Sequence, residues 1–205
     1  MVGKGSKALP RAFYDRDVVI VARELLGKIV VHNSPLGRTS GRIVETEAYS
    51  QDEAACHAYR KRTERNRVMY GAAGYAYVYF SYGMHWILNV VTGPEDFAAA
   101  VLVRALEPIE GVGLMSARRG ARITTTGLTN GPGKLAEAMG IDVKLYGADL
   151  TRGDFTIRDA PALGPILESP RIGITQAVDL PWRFYVANPY VSKTRSLLAS
   201  SRSRS

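Results

Sequence analysis

Apolar and polar positions in the first half of the chain predict a helix followed by strands. Residues 15–26 carry apolar side chains at helical spacing and are followed by Gly27, so we expect a helix that ends there. A strand is expected over residues 28–31 and a turn over residues 35–37. The next predicted strand carries the octapeptide RIVETEAY, residues 42–49.

A run of aromatic and β-branched residues from 75 to 91, YAYVYFSYGMHWILNVV, predicts a β-hairpin. We expect the tight turn at residues 82–85, which places Tyr82 at the hairpin tip. Tyr77 and Tyr79 share one face of the first strand, because side chains alternate along a strand. A core aromatic cluster is the alternative for these tyrosines. We accept it for Tyr77, whereas the turn position of Tyr82 favours exposure.

The second half of the chain contains one long apolar run, residues 98–105, which is typical of a strand buried on both faces. Only Arg104 interrupts it, and a buried arginine needs a partner because an unpaired buried charge is costly. An ordinary ion pair with Glu107 or Glu110 is the structural alternative to a functional role. The remaining pattern predicts a helix over residues 111–119, a helix start with free backbone amides at residues 130–134 (NGPGK), and short strands between residues 150 and 191.

The RIVETEAY strand places Glu45, Glu47 and Tyr49 on one face, because side chains two apart point the same way. An acid beside a flat ring can hold a planar substrate and activate water against it. The alternative is that both glutamates form the solvated face of an edge strand. The acidic residues that follow, within 50–59, predict a short helix that holds His57 close to the end of the strand.

Composition indicates one domain with a basic surface. The chain has 205 residues, 27 of them Lys or Arg and 19 Asp or Glu, which gives a net charge of +8. The excess indicates a polyanionic partner, with solubility or an anionic lipid surface as alternatives. The densest basic cluster, RKRTERNR at residues 60–67, is either a solvated face or a phosphate contact.

The termini predict an intracellular protein with two tails. The N-terminal sequence MVGKGSKALPRAF has no apolar core of a signal peptide, and no run in the chain approaches the ~20 apolar residues of a membrane span. Residues 1–9 and 193–205 lack apolar periodicity, so we expect mobile tails around a domain at residues 10–192. The single cysteine, Cys56, fits a reducing compartment, and we interpret it as a spectator rather than a catalytic thiol.

No cofactor or metal is expected from the motifs. The NGPGK segment lacks the Walker A spacing GxxxxGK[ST], and the chain lacks the zinc-deaminase pattern of H-x-E followed by P-C-x-x-C. One cysteine and three histidines disfavour a structural zinc site.

Three functions fit these residues. An acid, aromatic rings, a buried arginine and basic segments suit an enzyme that acts on a nucleic-acid base. A glycosidase for carbohydrates is the second hypothesis, because Glu45 and Glu47 lie roughly 7 Å apart on a strand, within the inverting range. A nucleic-acid-binding module without catalysis is the third, and it predicts the loss of Glu47 or of the rings.

Seven motifs follow one another between residues 42 and 186, within a likeness that covers about residues 9–192: RIVETEAY, DEAACHAY, RNRVMYG, YVYFSYGMHWILNVV, VLVRALEP, NGPGKLAEAMGI and PWRFYV. In this order they resemble the alkyladenine (3-methyladenine) DNA glycosylase family. The resemblance implies a single-domain α+β fold, built on a curved antiparallel β-sheet with surrounding helices and a protruding β-hairpin that enters the DNA minor groove. It also implies a monofunctional DNA glycosylase of base excision repair, which flips alkylated or deaminated purines out of duplex DNA and leaves an abasic site.

The resemblance implies a catalytic pair. Glu47 matches the general base that deprotonates water for attack on C1′ of the deoxyribose and so hydrolyses the N-glycosidic bond. Arg104 matches the residue that helps to hold this water. Glu45 receives no role in catalysis and is expected to be structural.

The resemblance also implies a slot for the base. Tyr49 and His57 line one side and Tyr79 the other, and a cationic alkylated base gains roughly 0.5–2 kcal/mol of cation–π attraction between the rings. Asn89 lies at the floor, where the family screens out guanine by its 2-amino group. Tyr82 intercalates where the damaged nucleotide was.

The remaining implications concern partners. The residues matched as contacts to the DNA backbone are Arg62, Arg65, Met69, Met115, Arg119, Gly131 and Lys134. The partner is double-stranded DNA with damaged purines, and the candidate substrates are 3-methyladenine, 7-methylguanine, hypoxanthine and ethenoadenine. We expect a monomer without a cofactor or a membrane contact, and, in a prokaryote, a cytoplasmic protein associated with the nucleoid through DNA.

Overall fold

Four α-helices and eight β-strands occur in the described part of the chain, residues 6–81 and 83–192 of a computed structural model. The helices are α1 (Arg11–Tyr14), α2 (Val18–Glu24), α3 (Val112–Arg119) and α4 (Pro132–Met139). The strands are β1 (Ile29–Ser34), β2 (Gly37–Ser50), β3 (Ala76–Ser81), β4 (His85–Val91), β5 (Ala99–Glu110), β6 (Phe155–Arg158), β7 (Ile166–Ser169) and β8 (Arg183–Val186). Short 3₁₀ helices occupy Arg67–Tyr70, Thr125–Gly127 and Val143–Leu145.

All strands join one curled antiparallel sheet, which confirms the predicted α+β fold. Its main order is β3-β4-β5-β2-β1-β6, and β8 pairs with both β2 and β7. β2 is 14 residues long, so β1 and β8 can both pair along it while β5 occupies its other edge. RIVETEAY therefore lies in the middle of the sheet and not at an edge.

Helix α2 shows how the first predicted element forms. The side chain of Asp17 accepts hydrogen bonds from the backbone N–H groups of Val19 and Ile20, which caps the helix. The chain then turns at Gly27, whose φ of +90° suits glycine. The predicted helix over residues 15–26 is thus found, but it is shorter because α1 and a turn precede it.

The predicted hairpin is confirmed as β3 and β4, which pair from Ala76 opposite Val90 to Ser81 opposite His85. Tyr82, the predicted tip residue, lies outside the described residues. The predicted apolar strand and the predicted helix over residues 111–119 are also found, as β5 and α3.

The pairing of β2 with β5 contains two compensating irregularities at the site. Ile43 lies opposite Leu106 and Thr46 opposite Val103, but Glu45 lies opposite Ala105 between them. Val44 on β2 and Arg104 on β5 therefore have no partner in this register. Such bulges redirect side chains and increase the local twist of a sheet.

The short helix predicted within residues 50–59 is wrong. This segment forms successive turns, in which the N–H of Cys56 bonds the carbonyl of Glu53 and the N–H of Tyr59 bonds the carbonyl of Cys56. The side chain of Glu53 accepts from the N–H of Ala55, and its carboxylate also pairs with Arg171. A side chain that bonds its own backbone competes with a regular helix.

Buried apolar side chains form two clusters. The larger one packs the helices against the sheet and includes Val21 of α2 and Leu135 of α4. The smaller one lies beneath the turns that follow β2 and consists of Cys56, Ala58, Met69, Tyr77, Val91, Ala98 and Ala100. This second cluster supports the aromatic side of the candidate site.

Part of the predicted N-terminal tail is packed. Leu9 is buried in the larger cluster, and Ala8 forms a β-bridge with Arg158. Residues 1–5 and 193–205, the rest of both predicted tails, lie outside the described residues. Within the described ranges, no helix has the length and apolar character needed to cross a membrane.

Candidate active site

One row of residues crosses five strands and forms the base of the site. Tyr77 on β3 lies opposite Asn89 on β4, Asn89 opposite Leu102 on β5, Leu102 opposite Glu47 on β2, and Glu47 opposite Arg183 on β8. Residues directly opposite each other in a sheet share a face. The register therefore brings the hairpin and the RIVETEAY strand to one side of the sheet.

A cavity of about 740 Å³ lies over this row. Its volume is within the range of roughly 300–1,000 Å³ that is typical of small-molecule sites. The walls come from the end of β2, the turns after it, the hairpin, the start of α4 and the segment around Ile172. Five residues predicted for the base slot or the catalytic pair line this cavity: Tyr49, His57, Tyr79, Asn89 and Arg104.

Glu47 is completely buried and is held by two hydrogen bonds and one ion pair. The hydroxyl of Tyr49 donates to Oε2 over 2.7 Å, and Nη1 of Arg104 lies 3.2 Å from the same oxygen. The backbone N–H of Ile172 donates to Oε1 over 2.7 Å. All three residues line the cavity. Glu47 therefore lies directly behind the cavity wall.

Glu45 is equally buried, but different groups surround it. Its Oε1 accepts from Nε of Arg104 over 3.0 Å and from Nε of Arg183 over 2.7 Å. Its Oε2 accepts from the backbone N–H of Ser192 over 2.7 Å. Two guanidinium groups thus compensate its charge, which supports the structural role expected for Glu45 and favours one reacting acid over two.

Arg104 joins the two acids. Burial opposes its charge, but Glu47 and then Glu45 outweigh this effect and raise the pKa of the guanidinium above its ordinary value. The alternative pairing with Glu107 or Glu110 is not found, since Glu110 pairs with Arg38 and Glu107 accepts from Asn188. The solvated-face alternative for the glutamates is also wrong, because both are fully buried.

The hydroxyl of Tyr49 stays protonated near neutral pH. Burial, and next the negative charge of Glu47, raises the pKa of Tyr49 well above its ordinary value. The phenol therefore acts as a donor to Glu47, and its ring is left to form part of the wall.

An aromatic group in the cavity wall combines Tyr77 and Tyr79 of the hairpin with His57 of the turns after β2, so His57 lies against Tyr79. The ring of His57 lies edge-on to the ring of Tyr79, with centroids 4.7 Å apart, and its Nδ1 lies 3.1 Å from the hydroxyl of Tyr77. Burial, and next the positive charge of Arg65, lowers the pKa of His57. His57 is thus neutral near pH 7 and can both donate and accept one hydrogen bond.

Asparagines fix both the floor and the basic segment. Nδ2 of Asn89 donates to the carbonyl of Tyr77 over 3.2 Å, which fixes the amide at the floor. Asn66, which sequence analysis did not single out, is buried within the basic cluster. Its side chain donates to the carbonyls of His57 and Lys61, so it ties the basic segment to the wall.

The predicted basic DNA contacts surround the cavity to different degrees. Arg65 is exposed, lines the cavity and lies with Cζ 4.8 Å from the centroid of the Tyr79 ring. Arg62 is exposed over Tyr70. Lys134 and Gly131 line the cavity at the start of α4, whereas Arg119 pairs with Glu137.

The start of α4 approaches the hairpin closely. A Cβ on Gly133 would lie 2.7 Å from Cγ of His85, so only glycine fits without a shift. Gly133, the second glycine of the NGPGK motif, therefore lets the start of α4 approach the hairpin at the cavity.

Two predicted methionine contacts are buried instead. Met115 is completely buried in the larger core cluster, so its side chain packs α3 and offers no surface to DNA. Met69 is 2% exposed and belongs to the smaller cluster, where it forms part of the cavity wall. Their apolar character, which favours burial, accounts for both corrections.

Four residues from the end of the chain complete the network and were missed by the sequence analysis: Arg171, Ile172, Arg183 and Ser192. One signal was present. RIGI and RFYV each start with an arginine beside apolar residues, and the requirement for a partner that was applied to Arg104 applies equally to Arg171 and Arg183. The backbone donors of Ile172 and Ser192 leave no signal in a sequence.

Cys56 lines the cavity wall, but burial raises the pKa of its thiol to about 11, so it is protonated at neutral pH. This supports its interpretation as a spectator. Among residues 6–81 and 83–192, no three His, Cys, Asp or Glu side chains group as a metal site would require.

Comparisons with known proteins identify the family. A profile of the family described as "Methylpurine-DNA glycosylase" matches residues 12–189. A protein of Methanoculleus marisnigri is 51% identical over 191 residues, which cover 90% of this chain and 98% of the relative. A protein of Carboxydothermus hydrogenoformans is 50% identical over 189 residues, which cover 90% and 98%, respectively. One from Legionella pneumophila (strain Lens) is 48% identical over 195 residues, which cover 92% and 100%.

Each of these three relatives carries the printed name "Putative 3-methyladenine DNA glycosylase". The resemblance seen in the seven motifs is thereby confirmed, and the enzyme class it implied, DNA glycosylase, is confirmed with it. The chain belongs to the methylpurine-DNA glycosylase family.

Proposed function

We propose that this protein excises alkylated or deaminated purines from duplex DNA in base excision repair, with water activated by Glu47. One observation carries the proposal: Glu47 is buried directly behind a cavity whose lining residues hold its carboxylate, Tyr49 and Ile172 by hydrogen bonds and Arg104 by an ion pair. A carboxylate held by donors that face a substrate cavity is arranged for proton transfer.

The attacking water would occupy an acceptor position that Glu47 has left. A carboxylate offers about four lone-pair sites, and the hydrogen bonds from Tyr49 and Ile172 occupy one on each oxygen, while Arg104 pairs with the carboxylate by charge. Glu47 takes a proton from the water, and the water oxygen attacks C1′ of the deoxyribose. The bond between C1′ and the base breaks, and its electron pair leaves with the base. The products are a free purine and an abasic site.

The base would enter between Tyr49 and Tyr79, which requires it to leave the helical stack. Both rings already carry a guanidinium, with Cζ of Arg171 4.5 Å from the centroid of Tyr49 and Cζ of Arg65 4.8 Å from that of Tyr79. A second cation gains less from a ring that already binds one. Selectivity for damage is therefore expected to rest mainly on easier opening of damaged pairs and on the leaving group.

Neutral lesions would be recognised by hydrogen bonding to His57. Burial raises the pKa of Tyr77, so its hydroxyl keeps a proton, and in this proposal it donates that proton to Nδ1 of His57, 3.1 Å away. The imidazole proton then lies on Nε2 and is available to an acceptor on the purine edge, such as the one on hypoxanthine. A single such bond can discriminate strongly when its loss leaves a buried group unpaired.

Asn89 would exclude guanine at the floor. Its amide is fixed by the carbonyl of Tyr77 and is only 5% exposed. A side chain held in this way cannot turn aside for the 2-amino group of guanine, so contact at the floor disfavours guanine and, to the same extent, 7-methylguanine relative to adenine-type lesions.

DNA would be held by basic groups at the cavity rim. Arg62, Arg65, Lys134 and Arg119, with the backbone at Gly131, provide the phosphate contacts of this proposal, and the net charge of +8 favours association. Tyr82 is proposed to fill the space left by the flipped nucleotide. Its chain neighbourhood supports this, because Phe80 and Met84 are 46% and 68% exposed.

A cleavage assay on defined duplexes tests the proposal. Duplexes with one hypoxanthine or one alkylated adenine are incubated with wild type, Glu47→Gln and, as the matched control, Glu45→Gln. Wild type is expected to produce alkali-labile abasic sites, and Glu47→Gln to be slower by about 10²–10⁴-fold while still binding the DNA. Glu45→Gln should retain most of the rate per folded molecule.

Three outcomes would contradict the proposal. If wild type binds the duplexes but leaves no abasic site, the non-catalytic binding module is correct. If Glu47→Gln cleaves as fast as wild type, Glu47 is not the base. Loss of cleavage in both glutamate variants, with both folded, would favour the two-acid glycosidase mechanism.

A further inference from the structure

Arg171 is a buried arginine that lies next to the cavity without lining it. Its side chain is 0% exposed and pairs with Glu53 through both terminal nitrogens, with Nη1 2.7 Å from Oε1 and Nη2 2.8 Å from Oε2. This is the bidentate geometry in which arginine binds carboxylates most strongly. Glu53 belongs to the turns that carry Cys56 and His57 to the aromatic wall.

The same guanidinium also holds the RIVETEAY strand. Nη1 donates to the carbonyl of Ala48 over 2.9 Å, and Ala48 stands between Glu47 and Tyr49 in the chain. Cζ lies 4.5 Å from the centroid of the Tyr49 ring. Because Tyr49 lines the cavity and Arg171 does not, the guanidinium supports the ring from behind.

The backbone that follows Arg171 contributes to the site directly. The N–H of Ile172 donates to Oε1 of Glu47 over 2.7 Å, and Ile172, Gly173 and Ile174 line the cavity. Nη2 of Arg171 also donates to the carbonyl of Ala177 over 3.3 Å, which closes this segment on itself. Fixing Arg171 therefore fixes the donor to Glu47.

We propose that Arg171 is a positioning residue of this enzyme, which locks the ring of Tyr49, the Ile172 donor to Glu47 and the turns that carry His57 into one arrangement. The inference rests on the proposed function, because it assigns Arg171 to the same site. This role gives a reason for the buried ion pair of Arg171 and Glu53. Its directional contacts fix three segments relative to one another: the RIVETEAY strand, the turns after it and the segment around Ile172.

Lysine cannot reproduce these contacts. An ammonium group has no plane to stack on Tyr49 and cannot pair with both oxygens of Glu53 in a fixed fork. Burial opposes the charge of Arg171, but the hydrogen bond and charge of Glu53 outweigh it, so the pKa of the guanidinium lies above its ordinary value. Arg171 is therefore a permanent cation at any pH at which the enzyme is folded.

The chain offers a matched control in Arg11. Arg11 pairs with Asp149 over 2.8 Å, donates to the carbonyl of Ala73 and lies 4.8 Å from the centroid of the Tyr75 ring. These are the same three kinds of partner that Arg171 has, but Arg11 does not line the cavity or contact a residue of the site. The side chain of Arg11 is 37% exposed and that of Arg171 is 0% exposed, so Arg171→Met is expected to lose more stability than Arg11→Met. The assays are therefore run at a temperature at which every variant is folded.

The experiment compares Arg171→Met, Arg171→Lys, Arg11→Met and wild type on the lesion that wild type releases fastest. It measures the rate of base release with protein in excess and, separately, the Kd for the lesion duplex. Displacement of catalytic groups by about 1 Å can cost about 10²-fold in rate, so we expect a loss of this order for Arg171→Met with Kd changed less than about threefold. Arg171→Lys should recover part of the rate, and Arg11→Met should release base at the wild-type rate.

The inference is wrong if folded Arg171→Met releases base within about twofold of wild type at saturating protein. It is equally wrong if Arg11→Met loses as much rate as Arg171→Met, because the effect would then be a general loss of stability. If Arg171→Met does not fold, Glu53→Gln decides, and a wild-type rate in that variant overturns the inference. A wild type that releases no base contradicts the proposed function itself, which separates the two failures.

Discussion

Glu45 and Glu47 stand two residues apart on one strand, both fully buried, and each is held by three groups, Glu45 by three hydrogen bonds and Glu47 by two hydrogen bonds and an ion pair. Each has Arg104 and one backbone N–H among them. The third group differs: it is the guanidinium of Arg183 for Glu45 and the neutral hydroxyl of Tyr49 for Glu47.

Under the proposed function, this difference separates an acid that holds the fold from one that reacts. Glu45 contacts two guanidinium groups, Arg183 and the Arg104 that it shares with Glu47, and these ion pairs hold its carboxylate in place. Glu47 has one cation, and its donors line the cavity. Two equally buried acids can thus differ in reactivity because different groups contact their carboxylates.

Removing the shared cation should have the largest effect. Arg104→Gln leaves both buried carboxylates with less compensation, so we expect the free energy of unfolding to fall by about 3–5 kcal/mol. Base release by the folded fraction should fall by at least about 10²-fold. Chemical denaturation and single-turnover assays measure the two losses. A variant that loses only stability would show that Arg104 serves Glu45 alone.

Neutralising one acid at a time should separate the loss of stability from the loss of base release. Glu45→Gln is expected to lower the free energy of unfolding by about 2–4 kcal/mol, because it faces Arg104 and Arg183 with a neutral amide. Glu47→Gln should cost less stability than Glu45→Gln, since only one cation loses its partner. Denaturation of both variants under the same conditions makes the comparison. Equal losses of stability would contradict the division of roles.

The smallest effect is expected from the neutral donor. Tyr49→Phe keeps the ring that stacks on Arg171 but removes the hydrogen bond to Glu47, which contributes about 1 kcal/mol. Base release should slow by roughly fivefold, the equivalent of that energy, with unchanged DNA binding. Rate and Kd on the same duplex test this. A loss of binding instead would place the hydroxyl in contact with the base or the DNA.

The spacing of apolar residues predicted those helices and strands whose contacts are with residues close by in the sequence. The hairpin of β3 and β4 and the helix α3 follow from residues within about twenty positions of each other. The helix expected within residues 50–59 failed because Glu53 bonds Arg171, 118 positions away, and this pairing selects turns.

The site could be predicted only in part for the same reason. Alternation along a strand was enough to place Glu47 beside Tyr49, and the need of a buried charge for a partner was enough to single out Arg104. The groups that complete the network, Arg183 and the backbone at Ile172 and Ser192, come from more than 120 positions further along the chain. Neither periodicity nor composition carries information about such pairings.

The two unpaired positions between β2 and β5, Val44 and Arg104, have an effect on shape as well as on pairing. One extra residue on each strand leaves the register unchanged on either side, so the ladder continues while the sheet bends at that point. Such a bend makes a sheet concave on one face, and a concave face can surround a ligand on several sides. Curvature and charge placement thus have one origin. Deletion of Val44 would leave the extra residue on β5 uncompensated, shift the register of β2 against β5 by one residue and so move the acids relative to Arg104.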